Sequence, residues 1–311
     1  MAEVVHEVMI VPGDEDLDHD VSDMESIASS STSITASILD YRIENCRTYH
    51  RCKDGSKLGL APPCKVDSKV GRVLDVGTGT GVWANDFGDL HPQAEVLGVD
   101  LSAPQHDFVP PNVRFEIDDI EEEWTYSKPF DYIHSRFMNA SIADWKKYVK
   151  KCYNNTVPGG YLEPLENQVD PVSDDNSLPK DSSILEYVHL IRSGSEKMGR
   201  VFVDVSTLKS LVIEAGFVDV ELRIFKWPMN GWSKDKRYKK LGLWCHENFS
   251  SALEAVCMAL LTRVHGWSRD EVDVFLVNVR KDLNNRSYHA YFPIYSVVGR
   301  RPEREEATAS A

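Results

Sequence analysis

Three strand-like runs end in carboxylates, and the spacing of those carboxylates defines the chemistry they support. The first, Asp75, lies in Val73-Leu74-Asp75-Val76-Gly77-Thr78-Gly79-Thr80-Gly81, an apolar run that enters a glycine loop ahead of a helix starting at Val82. Without Cβ atoms the loop lets its N–H groups approach a ligand carboxylate at a helix N-terminus. Asp75 stands where a ligand ammonium is met. Asp100, followed by Leu101, ends the next run, 19 residues after Gly81, where a carboxylate accepts from both hydroxyls of a ribose. Asp118 and Asp119 end the third, placing a carboxylate at an adenine amino group with Ile120 against the ring. Ammonium, carboxylate, ribose and adenine together describe S-adenosylmethionine. A dinucleotide fingerprint requires its third glycine at position 82, which is Val82.

Methyl transfer from a sulfonium is an in-line displacement, so the protein has to align the acceptor and exclude water. No metal is required. A base assists a hydroxyl acceptor, and position alone offers His134 at the fourth strand end, Glu166 after the fifth strand and His246 in a later helix. His134 also falls among the expected cofactor contacts. Trp83 and Trp244 are either pocket walls or core, and helical spacing favours core. Arg136 either anchors a carboxylate or pairs with Asp131 or Asp144.

The elements that must position these groups alternate. Strands are expected at Val73–Val76, Glu95–Val99, Val113–Ile117 and Phe130–His134. A helix then carries Ile142, Trp145, Tyr148, Val149, Cys152 and Tyr153, stops at Pro158-Gly159-Gly160, and gives way to a strand from Tyr161. A further helix through Leu208–Ala215 closes at Gly216. Strands Val218–Trp227 and Tyr291–Val298 bracket a helical stretch from Lys234 to Arg286. Alternation of this kind predicts an α/β fold: a doubly wound, mostly parallel, seven-stranded Rossmann-like sheet of the class I methyltransferase type, with a helical insertion between its last two strands. A helix is also expected over Ile38–His50. The division is 1–37 as a disordered acidic, Ser-rich tail and 38–302 as the methyltransferase domain, with a cofactor half at 70–170 and a cap at about 231–287; 303–311 form a second tail.

The net charge of −14 is local: residues 1–41 hold ten of the 49 carboxylates and none of the 35 Lys and Arg. The remainder is nearly neutral, and its one basic cluster, Lys234, Lys236, Arg237, Lys239 and Lys240, reads as a solvated helix face, so direct nucleic-acid binding is not expected. No run approaches the roughly 20 apolar residues of a membrane span, and no signal peptide is evident. The six cysteines show neither Cys-x-x-Cys nor zinc-ligand spacing, which fits reduced thiols in the cytoplasm, with the nucleus as the alternative.

Several longer strings carry a resemblance. Arg47-Thr48-Tyr49-His50, Asp75 to Trp83, Phe115 to Ile120, Phe130 to Arg136 and Ile142-Ala143-Asp144-Trp145 closely resemble the fungal LaeA-like methyltransferases, and the likeness runs from Ile38 to Pro302. It extends to Gly242-Leu243-Trp244, Thr262-Arg263-Val264 and His289-Ala290-Tyr291. The resemblance implies a class I methyltransferase that uses S-adenosylmethionine in fungal secondary metabolism. It implies either a tailoring enzyme with a small-molecule acceptor or a regulator acting with velvet-type protein partners and little catalysis. Two departures stand out. The segment Arg51–Gly59 is shorter than its family counterpart, where an amphipathic helix is usual, and Pro164 interrupts a strand where a ladder donor is usual, which predicts a distorted edge.

Overall fold

The computed structural model describes residues 10–12, 41–44, 47–50, 60–65, 68–102, 104 and 109–303. Most of both expected tails and the shortened segment Arg51–Gly59 lie outside these residues. The expected helix over Ile38–His50 is replaced, where described, by an antiparallel hairpin of β1 (Tyr41–Glu44) and β2 (Arg47–His50). Tyr41 and Ile43 alternate with Arg42 and Glu44, a period of two that suits a strand better than a helix. Ile10–Pro12, within the expected tail, are among the described residues. Pro12 bridges Ser233, Lys234 N–H donates to Val11 O at 3.0 Å, and Ile10 is buried, because these apolar residues interrupt the acidic run.

The main sheet contains β3 (Arg72–Val76), β4 (Glu95–Asp100), β5 (Val113–Ile117), β6 (Phe130–Arg136), β7 (Thr156–Asn167), β9 (Val218–Pro228) and β10 (Ala290–Arg300), in the order β5-β4-β3-β6-β7-β10-β9. The five strands from β5 to β7 are parallel, and β10 runs antiparallel to both β7 and β9. The two-residue β8 (Val172–Ser173) pairs Ala290 and Tyr291 on the edge of β10 that β9 leaves open, and so continues the line of β7. Strand β7 begins at Thr156, earlier than expected. Pro158-Gly159-Gly160 form its irregular start, where the register with β6 shifts between Phe130 and Tyr132.

Pro164 does not distort the strand. Leu162 pairs Gly299 and Leu165 pairs Ser296, so the register is the same on both sides, and only Glu163 and Pro164 between them lack partners on β10. The missing donor is absorbed locally.

Strand alternation sorts the two faces. Leu74, Val76, Leu97 and Val99 pack on α2 (Trp145–Asn155) and α4 (Leu208–Ala215), while Val73, Val96 and Tyr132 pack on α1 (Val82–Leu90) through Trp83, Ala84 and Phe87. A separate core joins α3 (Ser183–Lys197), α5 (Lys236–Ala259) and α6 (Arg269–Asn284). The helical insertion between β9 and β10 is therefore present, broken by a π-helical stretch at Leu260–Val264. It packs with α3, which the sequence reading did not isolate. Among the described residues, no helix is long and apolar enough to cross a membrane.

Candidate active site

Asp75 and His134 are register partners on β3 and β6, so period-two alternation puts both side chains on the α1 face. Both are almost fully buried, at 3% and 2% exposed. His134 Nδ1 lies 2.7 Å from one Asp75 oxygen, and Thr78 Oγ1 donates to the other at 2.6 Å. The carboxylate is an acceptor, so Nδ1 carries the proton and Nε2 of a neutral ring keeps its lone pair. Trp83 lies flat on the imidazole, centroids 3.8 Å apart and planes 4° apart. Trp83 is thus a core residue that fixes the ring, as its helical spacing favours.

The glycine loop is tied down next to this pair. Thr78 N–H donates to Val99 O at 2.9 Å, and Gly79 N–H donates to Asp100 at 2.9 Å. The other Asp100 oxygen accepts from Ser102 N–H at 3.2 Å. Gly77 and Gly79 both have left-handed φ, +66° and +56°. Their surroundings differ. A Cβ on Gly77 would sit 2.1 Å from Met138 Sδ, whereas one on Gly79 would meet no protein atom within 4 Å. Gly77 is a packing requirement, and Gly79 faces space available to a ligand.

Asp118 and Asp119 are exposed at the end of β5, tied to Asp100 through Asp118 N–H to Asp100 O at 3.1 Å. Leu101 is 72% exposed beside Asp100, and Ile120 packs on the core behind. The open space at Gly79, the Asp100 carboxylate and the exposed Leu101 lie at neighbouring strand ends and leave room for a ligand there.

The other two expected bases are placed elsewhere. Glu166 is 0% exposed, and its oxygens accept from Met138 N–H at 2.8 Å and Asn139 N–H at 3.1 Å, so it supports a turn and does not face an acceptor. His246, on α5, pairs with Ser250 Oγ at 3.5 Å and is not brought to the Asp75–His134 pair. Sequence reasoning missed Glu163, which is wholly buried and accepts from Leu60 N–H, Ala61 N–H, Tyr132 Oη and Ser296 Oγ. Two carboxylates inside the apolar run Tyr161–Leu165 and its end at Glu166 were the available signal. Burial pushes the neighbouring Cys64 thiol up to about 12, with the Glu163 charge adding to the rise. Cys64 is therefore a neutral thiol at physiological pH.

Burial also raises the Glu166 carboxyl to about 8, against the lowering effect of the two amides. Between the ordinary carboxylate range and that value, the folded chain holds a proton the unfolded chain has released, so stability falls as pH rises through this window. Thermal midpoints measured from pH 5 to 8 are expected to decline, and Glu166→Gln to flatten the decline.

A family model described as a methyltransferase domain matches residues 47–222. The chain belongs to this methyltransferase family. It is 35% identical to methyltransferase pytC of Aspergillus terreus over 88% of this chain and 92% of that protein. It is also 35% identical to the secondary metabolism regulator LAE1 of Cochliobolus heterostrophus, over 75% and 77%. With the probable methyltransferase tdiE of Emericella nidulans it shares 33% identity, over 82% and 78%. The space left open at Gly79, beside the Asp100 carboxylate, is where the sequence leads one to expect S-adenosylmethionine.

The open face of Gly79 carries an expectation. Gly79→Ala adds left-handed strain of about 1–2 kcal/mol but no clash. The variant is expected to fold, and to lose S-adenosylhomocysteine affinity by more than about tenfold as the Cβ occupies the space left open beside the loop, readable by calorimetry beside a melting curve.

Proposed function

We propose that this methyltransferase modifies a small molecule of fungal secondary metabolism. The observation that carries the site assignment is the convergence, at the carboxyl edge of the parallel sheet, of the Asp75–Thr78–His134 cluster with the Gly79–Asp100 contact. Bound there, S-adenosylmethionine supplies an electrophilic methyl group. The glycine loop would face its amino-acid end at Gly79, Asp75 would offer the charge for its ammonium, and Asp100 would take the ribose hydroxyls. Asp118 or Asp119 would receive the adenine amino group, with the exposed Leu101 on the ring. His134, fixed through Nδ1, holds its Nε2 lone pair ready for the acceptor proton.

The helical cap of α3, α5 and α6, which builds a core of its own against β10, supports a small-molecule acceptor, because such acceptors are bound in enclosed clefts. The relatives named as methyltransferases support turnover, and the relative named as a secondary metabolism regulator supports the pathway class. A regulatory role without turnover is favoured by the relative named as a regulator. Incubating the chain and S-adenosylmethionine with an extract of the source fungus, followed by mass spectrometry, separates the two. A product one CH2 heavier, absent with Asp100→Ala protein, is expected; S-adenosylhomocysteine binding with no methylated small molecule supports the regulator.

A further inference from the structure

A strained aromatic residue stands between the cofactor loop and the cap. Phe137 follows β6 directly, has φ +57° although it is not glycine, and remains 40% exposed. Side chains in this region of backbone space persist only where their surroundings enforce it, and they gather at functional sites. Here the enforcement is visible. Phe137 N–H donates to Leu165 O at 2.9 Å, and buried Glu166 takes the next two amides. Asn139 then clamps Val203 in both directions, its Oδ1 accepting at 2.8 Å and its Nδ2 donating at 3.2 Å. Met138 fills the space beside Gly77, which fixes the turn to the cofactor loop.

The ring reaches toward the cap. Strands β6 and β9 are three positions apart in the sheet, about 14 Å at the usual spacing, yet the Phe137 and Trp227 rings meet edge to face with centroids 5.9 Å apart. Trp227 ends β9 at the same sheet edge and packs on the core of α3, α5 and α6. The two rings therefore bridge the carboxyl end of β7 and the amino end of β10. The Arg136 guanidinium, 5.6 Å from the Phe137 centroid, places positive charge beside them.

We propose that Phe137 is the specificity-determining residue for the acceptor, selecting a flat aromatic ring that stacks on its exposed face, and that Glu166 is the positioning residue that sets its orientation. The proposal rests on the methyl-transfer reading above. An exposed aromatic face held rigidly against its own tendency to relax is an anchor whose ordering cost is met by folding, and aromatic rings stack on such a face in offset geometry.

The test is equilibrium binding of 2-naphthol, followed by its own fluorescence, to the full chain saturated with S-adenosylhomocysteine. Phe137→Gly suits the backbone and removes the ring, so it is expected to fold, keep S-adenosylhomocysteine affinity within twofold and weaken naphthol binding at least tenfold. Phe137→Tyr is expected to retain naphthol binding. Glu166→Gln, which keeps an acceptor for the Met138 and Asn139 amides, is expected to retain more naphthol binding than Glu166→Ala while both keep S-adenosylhomocysteine affinity within twofold, a rescue that general destabilisation would not give. Naphthol binding that is absent from the wild type, or equal in Phe137→Gly, overturns the proposal while S-adenosylhomocysteine still binds. Loss of S-adenosylhomocysteine binding in the wild type overturns the methyl-transfer reading instead.

Discussion

Replacing Asp100 by alanine is expected to weaken S-adenosylhomocysteine binding by about 100-fold or more, because two hydrogen bonds to a charged group are worth about 1.5–3 kcal/mol each. The carboxylate has two tasks. It is oriented by Gly79 N–H and Ser102 N–H, and in that orientation it faces the space where a ribose sits in the proposed complex. Its removal also frees the Gly79 amide, so part of the loss comes from a looser loop. Asp100→Asn keeps one good acceptor and is expected to fall between the two. Asp100 lies at the end of its strand, away from the cores, so the melting temperature is expected to stay near that of the wild type. Titration calorimetry on the three proteins measures the series. An unchanged affinity in Asp100→Ala removes the ribose assignment.

The largest stability effect is expected at Glu163, the register partner of His134, whose carboxylate is held by a separate set of donors. Four donors converge on its carboxylate: Leu60 N–H at 2.8 Å, Ala61 N–H at 3.0 Å, Tyr132 Oη at 2.7 Å and Ser296 Oγ at 2.9 Å. These bonds tie β6, β7, β10 and the Leu60–Cys64 turn together beneath α1. Glu163→Ala leaves the buried donors unmet at about 1–3 kcal/mol each, and partial relaxation brings the expected loss to about 4 kcal/mol. Glu163→Gln keeps an acceptor but turns an NH2 toward donors, so it is expected to lose less than alanine. Urea midpoints read the difference. A loss under about 1 kcal/mol in Glu163→Ala would show that water replaces the carboxylate, and that the turn is not fastened through this residue.

The sheet was legible because each parallel strand is a short run rich in aliphatic and aromatic residues set between glycines, prolines or carboxylates. The glycine loop was legible because its constraints are local: Gly77 and Gly79 have left-handed backbones that the string itself announces. What the string does not carry is register. That Asp75 and His134 share a face, 59 residues apart, follows only once β3 pairs with β6. The same holds for Glu166, whose position after a strand suggested a base, while the fold turns it onto two amides of a neighbouring turn. Helix α3 escaped notice because its partners, α5 and α6, come more than 35 residues later, and its amphipathic face has meaning only against them. The misread at Ile38–His50 has the opposite cause: a short segment in which periods of two and of three to four are both satisfied by few residues.

The most direct measurement is a calorimetric titration of the full, folded chain with S-adenosylhomocysteine. One binding site per chain with a micromolar Kd is expected. A well-folded chain that takes up no S-adenosylhomocysteine would contradict the cofactor site assigned to Asp75, the Gly77–Gly81 loop and Asp100.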